Sequence, residues 1–377
     1  MKAYRWISLL CLLCMALPLL VACGHQHTPG AWEEVTAPDY GTEGLRQRVC
    51  TTCGDVLDTE RTPAFSEHLA YNAPVYPDMT CGIRGRGTCT DTALSIPAEI
   101  DGYPVSYLNK EAFLGNHFIE EVYIPATVSL VGERAFADCA KLTHVTFAGE
   151  VKYISSNAFD NCPNLVYTQF DNGLYLGNKS NPYLILMKPI NDEITSCVVH
   201  QDTKVMAKGV FATCKSLTDL TVMGGTVGRE LFYIYDLETW GTHISSVTLG
   251  DKVTALDYGA FLGCGKLTNI KLPASLTEIG GYAFWYCSGL THLLLPDGVT
   301  EIGAGTFGMC TSLSSITIGG DVTKIGDEAF IGCKSLSAIY FGGTLAEWEA
   351  IEKGQLWNAG ILTCTIYCTD GELAVNP

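Results

Sequence analysis

Between Ile244 and Ser335 the chain repeats one pattern four times with a fixed step. Phe261, Phe284, Phe307 and Phe330 fall 23 residues apart, and Cys264, Cys287, Cys310 and Cys333 keep the same step. Each unit opens on an aliphatic run, as in Leu290-Thr-His-Leu-Leu-Leu-Pro296, and passes through Ile-Gly or its equivalent to the Phe and the Cys. A unit this short cannot bury its apolar face alone. It must stack on its neighbours, so the period predicts a solenoid.

Within a unit the apolar residues stand at the leading position and at three and five beyond it, for example Leu290, Leu293 and Leu295. Alternation at the last two predicts a strand with polar residues between. A second extended piece holds Val299 to Ile302, after which Gly303 is expected to release the backbone for a turn. Ala-Phe-x-x-Cys then predicts one helical or 3-10 turn, with Phe and Cys on one face. The register extends outward through leading residues Ile119, Leu142, Leu165, Ile194, Leu217 and Leu336 and through Phe113, Phe136, Phe159 and Phe211, after a degenerate opening unit at Asp91 to Pro97. The expected fold is mainly β with short helical turns: a solenoid of about eleven coils over residues 81–341.

Two coils break the period. The 29 residues from Leu165 to Ile194 hold two apolar runs around a turn-rich centre, expected as a hairpin insert over 171–190. The 27 from Leu217 to Ile244 hold Phe232, Tyr233 and Trp240 in an aromatic insert over 228–243. Past Phe341, Leu345, Trp348 and Ile351 are spaced for one side of a short helix, and Ile361 to Cys368 for a last strand. Residues 342–377 are therefore expected to cap the array, shielding an apolar end that would otherwise recruit another chain.

The array resembles the BspA-type leucine-rich repeats, whose unit runs Leu-x-x-Ile-x-Ile-Pro-x-x-Val-x-x-Ile-Gly-x-x-Ala-Phe-x-x-Cys. The likeness covers about residues 89–370, and Gly87-Thr-Cys-Thr-Asp-Thr92 is similar to that family's opening sequence. Asn116 and Tyr235 depart from it where a Cys is expected. The resemblance implies a non-enzymatic bacterial cell-surface adhesin that binds host matrix proteins or neighbouring cells, with capture of polysaccharide or peptide for nutrition as the alternative.

Upstream, Lys2 and Arg5 lead an apolar run from Trp6 to Leu20 that ends Leu-Val-Ala-Cys23. This resembles a bacterial lipobox, which implies a signal peptide over 1–22, a lipid on Cys23, and a chain anchored to an extracytoplasmic membrane face without crossing it. Residues 23–80 form a polar stalk containing His27-Thr-Pro-Gly-Ala-Trp32, Cys50-Thr-Thr-Cys53-Gly54 and His68. They are similar to a small Cys/His module found beside bacterial surface repeats, which usually carries another Cys where this chain has Tyr40. A Cys-x-x-Cys turn can present two thiolates to one ion. His27, Cys50, Cys53 and His68 are then the ligands of a structural zinc, and a Cys50–Cys53 disulfide is the rival reading.

A formal charge of minus 17, with 23 Lys and Arg, argues against nucleic-acid binding, which needs clustered cations. No phosphate-cradling loop and no His-Glu-x-x-His is present, and no catalytic residue is expected. The in-register cysteines, Cys139, Cys162 and Cys214 among them, read as small buried hydrophobes and not as ligands. His144 and His292 share a register six coils apart, about 29 Å at roughly 4.8 Å per strand, too far to make one site. Glu278 and Glu301 read as a solvated face. What remains is a surface of two rows, two and four residues beyond each lead. From it Tyr123, His144, Tyr167, Lys271, His292 and Tyr340, with Tyr233 and Trp240 of the insert, are the candidate contacts of a protein or glycan partner for a monomeric chain.

Overall fold

The computed structural model describes residues 26–39, 42–74, 77–232 and 243–375. The chain divides into two compact units, 1–65 and 66–377, so the break falls between Phe65 and Ser66 and not at 80/81 where the composition changes. The smaller unit is an antiparallel meander of Pro29–Thr36, Gly44–Cys50 and Val56–Thr62, with Gly44–Cys50 central. It has almost no apolar interior: Cys50 is the only buried hydrophobic side chain among its described residues. In place of a core, the Arg46 and Arg48 guanidiniums lie 4.9 and 5.3 Å from the Trp32 ring. Arg46 also donates to the Glu60 carboxylate across the sheet at 2.7 Å. Arg48 pairs with Asp58 in the same way.

The larger unit is the solenoid, with two rows of short parallel strands. The first row carries the leading aliphatic segments. Glu121–Ile124 pairs with His144–Phe147 in strict one-coil register, and the C-terminal series runs His292–Leu294, Ser315–Ile318, Ala338–Phe341 and Cys364–Cys368. The second row holds the Val-x-x-Ile pieces, such as Leu130–Val131, Tyr153–Ile154, Glu301–Ile302 and Lys324–Ile325. There are about twelve coils. The extra one is Cys364–Cys368, which pairs parallel with Ala338–Phe341 inside the region read from sequence as a cap. A hydroxyl ladder runs along the first row: Thr291, Ser314 and Ser337 each donate to the carbonyl one coil back, at 3.3, 2.9 and 3.3 Å.

The Phe side chains form the expected column. Phe113, Phe136 and Phe159 stack at 4.8 and 5.3 Å between centroids, and Phe261, Phe284, Phe307 and Phe330 at 5.6, 5.6 and 5.3 Å. Trp357 closes the column edge-on, 6.2 Å from Phe330. The segment around each Phe is not a continuous helix; among these segments only Ser156–Phe159 is a 3-10 turn. Elsewhere the backbone alternates in hand, with Tyr282 and Tyr286 at φ of 59° and 60° on either side of Phe284. Alternation aims every second N–H along the stack. Tyr282, Phe284 and Tyr286 donate to Ala304, Thr306 and Gly308 of the next coil, all at 2.9 Å, while Ala283, Trp285 and Cys287 donate within their own coil.

Gly303 does not play the expected part. Its φ is not left-handed, and the positive φ values of that coil belong to Gly305, at 61°, and Met309, at 60°. Gly303 is there for close approach: a Cβ would stand 3.0 Å from the Gly281 nitrogen, and at the equivalent Gly326 2.6 Å from the Ala304 nitrogen. Backbone of adjacent coils meets at this corner with no room for a methyl group.

The hairpin of Gly173–Leu176 with Ile185–Pro189 is antiparallel, yet it is built into the array. Ile185 and Leu186 are fully buried, and they pair parallel with Val205 and Met206. At the far end, Leu345–Ala350 is a helix, α1, opened by a reciprocal cap in which the Thr344 hydroxyl accepts from the Glu347 N–H and the Glu347 carboxylate from the Thr344 N–H. Its Trp348 is buried against Phe341 and Trp357. Gly371–Val375 then folds back antiparallel on Cys364–Cys368 and covers that edge. Among the described residues no helix is long and apolar enough to cross a membrane.

Candidate functional site

Strand register places the outward side chains of the first row in continuous lines. Leu294, Thr317, Tyr340 and Tyr367 stand side by side on four adjacent parallel strands. Leu294 is 65 % exposed, Tyr340 46 % and Tyr367 40 %. The two tyrosine rings stack with centroids 5.1 Å apart and planes 18° apart, so each fixes the other's rotamer while presenting apolar area to solvent. Tyr340 follows from the row pattern. Tyr367 does not, because the inserted helix interrupts its coil, although Thr-Ile-Tyr-Cys at 365 echoes Ala-Ile-Tyr-Phe at 338.

The other expected contacts are spread along the same face. Tyr123 is half-buried opposite Thr146, next to exposed His144. His144 and His292 are held alike, with Nδ1 2.9 Å from the hydroxyl of the preceding Thr143 or Thr291. Lys271 is exposed in the coil 267–272, which contributes no strand and sits between two sheets of the row. Tyr167 packs against the core beneath Lys188, whose Nζ is 4.7 Å from the ring centre, and burial raises its phenol well above the usual range. It therefore does not join the exposed row. Tyr233, Trp240 and Cys23 lie outside the described residues.

On the second row a groove of about 820 Å³ opens where the hairpin enters, between Glu150–Ile154 and the strands at 204–206, 226–229, 255–257, 277–281 and 300–303. Its charges are mixed: Lys152, Lys204, Lys208 and Arg229 line it together with Glu150, Asp257, Glu278 and Glu301. The Lys208 ammonium, 2.8 Å from the largely buried Glu230 carboxylate, anchors the wall. Burial pulls that ammonium down, but the Glu230 hydrogen bond and charge outweigh it and the net shift is upward. Burial raises the neighbouring Tyr153 phenol. No sequence signal announces this groove, because its residues come from six coils whose individual patterns are ordinary.

In the smaller unit, the donor atoms of His27, Cys50 and Cys53 all lie within 4.8 Å of one another. His68, the fourth expected ligand, is not in this group. It opens the larger unit, where its Nδ1 is 3.7 Å from Glu67 and its φ is 64°. The described thiols of the larger unit are free.

A parallel solenoid with a Phe column and one leading aliphatic strand per coil is the leucine-rich-repeat class. The sequence model of the BspA type leucine rich repeat region matches in six copies over residues 100–181 and 239–351, and the chain belongs to that family. It is similar to a leucine-rich repeat protein from Bacteroides ovatus at 20% identity, over 77% of this chain and 75% of that one, with a TM-score of 0.37. A leucine rich cell surface protein from Faecalibacterium prausnitzii aligns at 20% identity over 77% and 98%, with a TM-score of 0.29. Pneumococcal vaccine antigen PcpA aligns at 16% over 82% and 85%, with a TM-score of 0.43. None of the curated proteins matches the chain.

Proposed function

We propose that this protein is a lipid-anchored, extracytoplasmic cell-surface adhesin without catalytic activity, which holds a protein partner on the exposed face of its first strand row. The observation carrying this reading is the line Leu294, Thr317, Tyr340 and Tyr367, open to solvent at the C-terminal end of a rigid sheet. Aromatic side chains with few rotatable bonds supply contact area at low ordering cost, and pre-stacking lowers that cost further. The lipobox-like Leu-Val-Ala-Cys23 supports the anchor. The charged groove favours a second reading, capture of a peptide or polysaccharide.

Binding of residues 24–377 to immobilised matrix proteins and to a glycan array separates the two. Adhesion predicts matrix binding that weakens roughly thirtyfold, about 2 kcal/mol, in the double variant Tyr340→Ala and Tyr367→Ala. Matrix binding untouched by that change, or glycan binding abolished by Trp240→Ala, overturns the adhesin reading in favour of capture.

A further inference from the structure

The His27, Cys50 and Cys53 cluster is arranged as a metal knuckle. Gly54 takes a φ of 78°, which its side-chain-free backbone adopts without strain, and its N–H donates to the Cys50 carbonyl at 2.9 Å. This closes the Cys-Thr-Thr-Cys turn and puts both sulfurs on one side. The Thr52 N–H is directed at Cys50 Sγ at 3.5 Å, a contact that favours a thiolate there. The third donor arrives from elsewhere in the sheet. Pro29 pairs with Cys50, and the Thr51 N–H donates to the Thr28 carbonyl at 2.9 Å, so the residue just before Thr28 overhangs the turn. That residue is His27, and its Nδ1 stands 3.5 Å from Cys53 Sγ.

The spacing fits an ion. With Zn–S of about 2.3 Å and Zn–N of about 2.05 Å at a tetrahedral angle, the S···N edge is about 3.6 Å. A disulfide would require the two sulfurs to bond at about 2.05 Å, and it would leave the imidazole at this edge with no role. The unit also needs a staple. A three-stranded meander with Cys50 as its only described buried hydrophobe lacks the core that holds larger domains together, and a metal supplies what burial does not.

We propose that His27 Nδ1, Cys50 Sγ and Cys53 Sγ bind one zinc ion, which ties the start of the first strand to the turn between the second and third, with His68 taking no part. Both thiols lose their protons on binding, so the two thiolates neutralise the ion's charge.

The test uses the full chain purified under reductant, with Zn²⁺ or Co²⁺ as the probe. One zinc per chain is expected. The Co²⁺ form should show the intense visible bands of a tetrahedral site and sulfur-to-metal charge transfer in the near ultraviolet. Cys53→Ser, at an exposed position, and His27→Ala should each weaken zinc binding more than about a hundredfold, since even second-shell changes cost up to that much. His68→Ala and Cys368→Ser should retain it. The proposal is overturned by reduced protein that binds no zinc, by a Cys50–Cys53 disulfide in protein recovered from cells, or by zinc loss in His68→Ala. None of these outcomes bears on partner binding by the solenoid.

Discussion

At each inner Phe carbonyl the repeat cysteines do more than fill space. Cys287, Cys310 and Cys333 donate their S–H to the carbonyls of Phe261, Phe284 and Phe307 one coil back, at 3.2, 3.1 and 3.0 Å. Cys139 and Cys162 do the same to Phe113 and Phe136. The carbonyls of Phe113, Phe261, Phe284 and Phe307 already accept an N–H from their own coil, so the thiol takes the remaining lone pair. Burial raises the Cys287 and Cys310 thiols far above their ordinary value and pushes Cys333 up to about 12. The unfolded chain therefore loses protons near pH 9 that the folded chain keeps, and stability falls as pH rises through that region by roughly 1 kcal/mol per unit for each such thiol. Denaturation midpoints should be flat from pH 7 to 8 and drop above 9, with a shallower drop in Cys333→Ala; an unchanged slope in that variant would disprove the linkage. Sequence periodicity made the burial of these cysteines legible. The carbonyl partner was not, because it lies 26 residues back and depends on the alternating hand of the turn.

The coil is the next scale, and its stability lies in contacts between neighbours. Phe284 is fully buried and stacks on Phe261 and Phe307, so Phe284→Ala removes two ring contacts and leaves a cavity walled by backbone that cannot collapse. A loss of about 3 to 5 kcal/mol is expected in urea unfolding, and a loss below about 1 would mean that the column carries little of the stability. Phe, Cys and the leading aliphatic were readable from sequence because one period placed each of them on the inner face. The hairpin was readable as two apolar runs around a turn, but its place in the array was not. Ile185 and Leu186 take the position of a second-row strand through pairing with Val205 and Met206, a partner that no local pattern specifies. The role of Gly303 is hidden in the sequence for a related reason. One glycine of a coil answers a φ requirement and another a close approach, and only the neighbouring coil distinguishes them.

For the whole molecule the governing problem is the open end of a parallel stack, which presents unpaired N–H and C=O groups to any other chain. The solenoid meets it with α1, Trp357 against the Phe column, and Gly371–Val375 folded back antiparallel on Cys364–Cys368. The reversal is a two-residue turn of Thr369 and Asp370 between the paired Cys368 and Gly371, whereas the parallel pairing of Cys364–Cys368 beneath it is obscured in the sequence by the inserted helix. Shortening the chain after Thr363 removes both strands and bares Ala338–Phe341 along its length, with exposed Tyr340 on the same strand. That edge is alternating and free of proline, a combination that pairs readily with a second copy. The shortened chain should keep its far-ultraviolet circular dichroism yet sediment as a concentration-dependent dimer or larger species. Sedimentation as a monomer at every concentration would mean that the terminal strands complete the fold without guarding it, and that α1 and Trp357 protect the end of the stack.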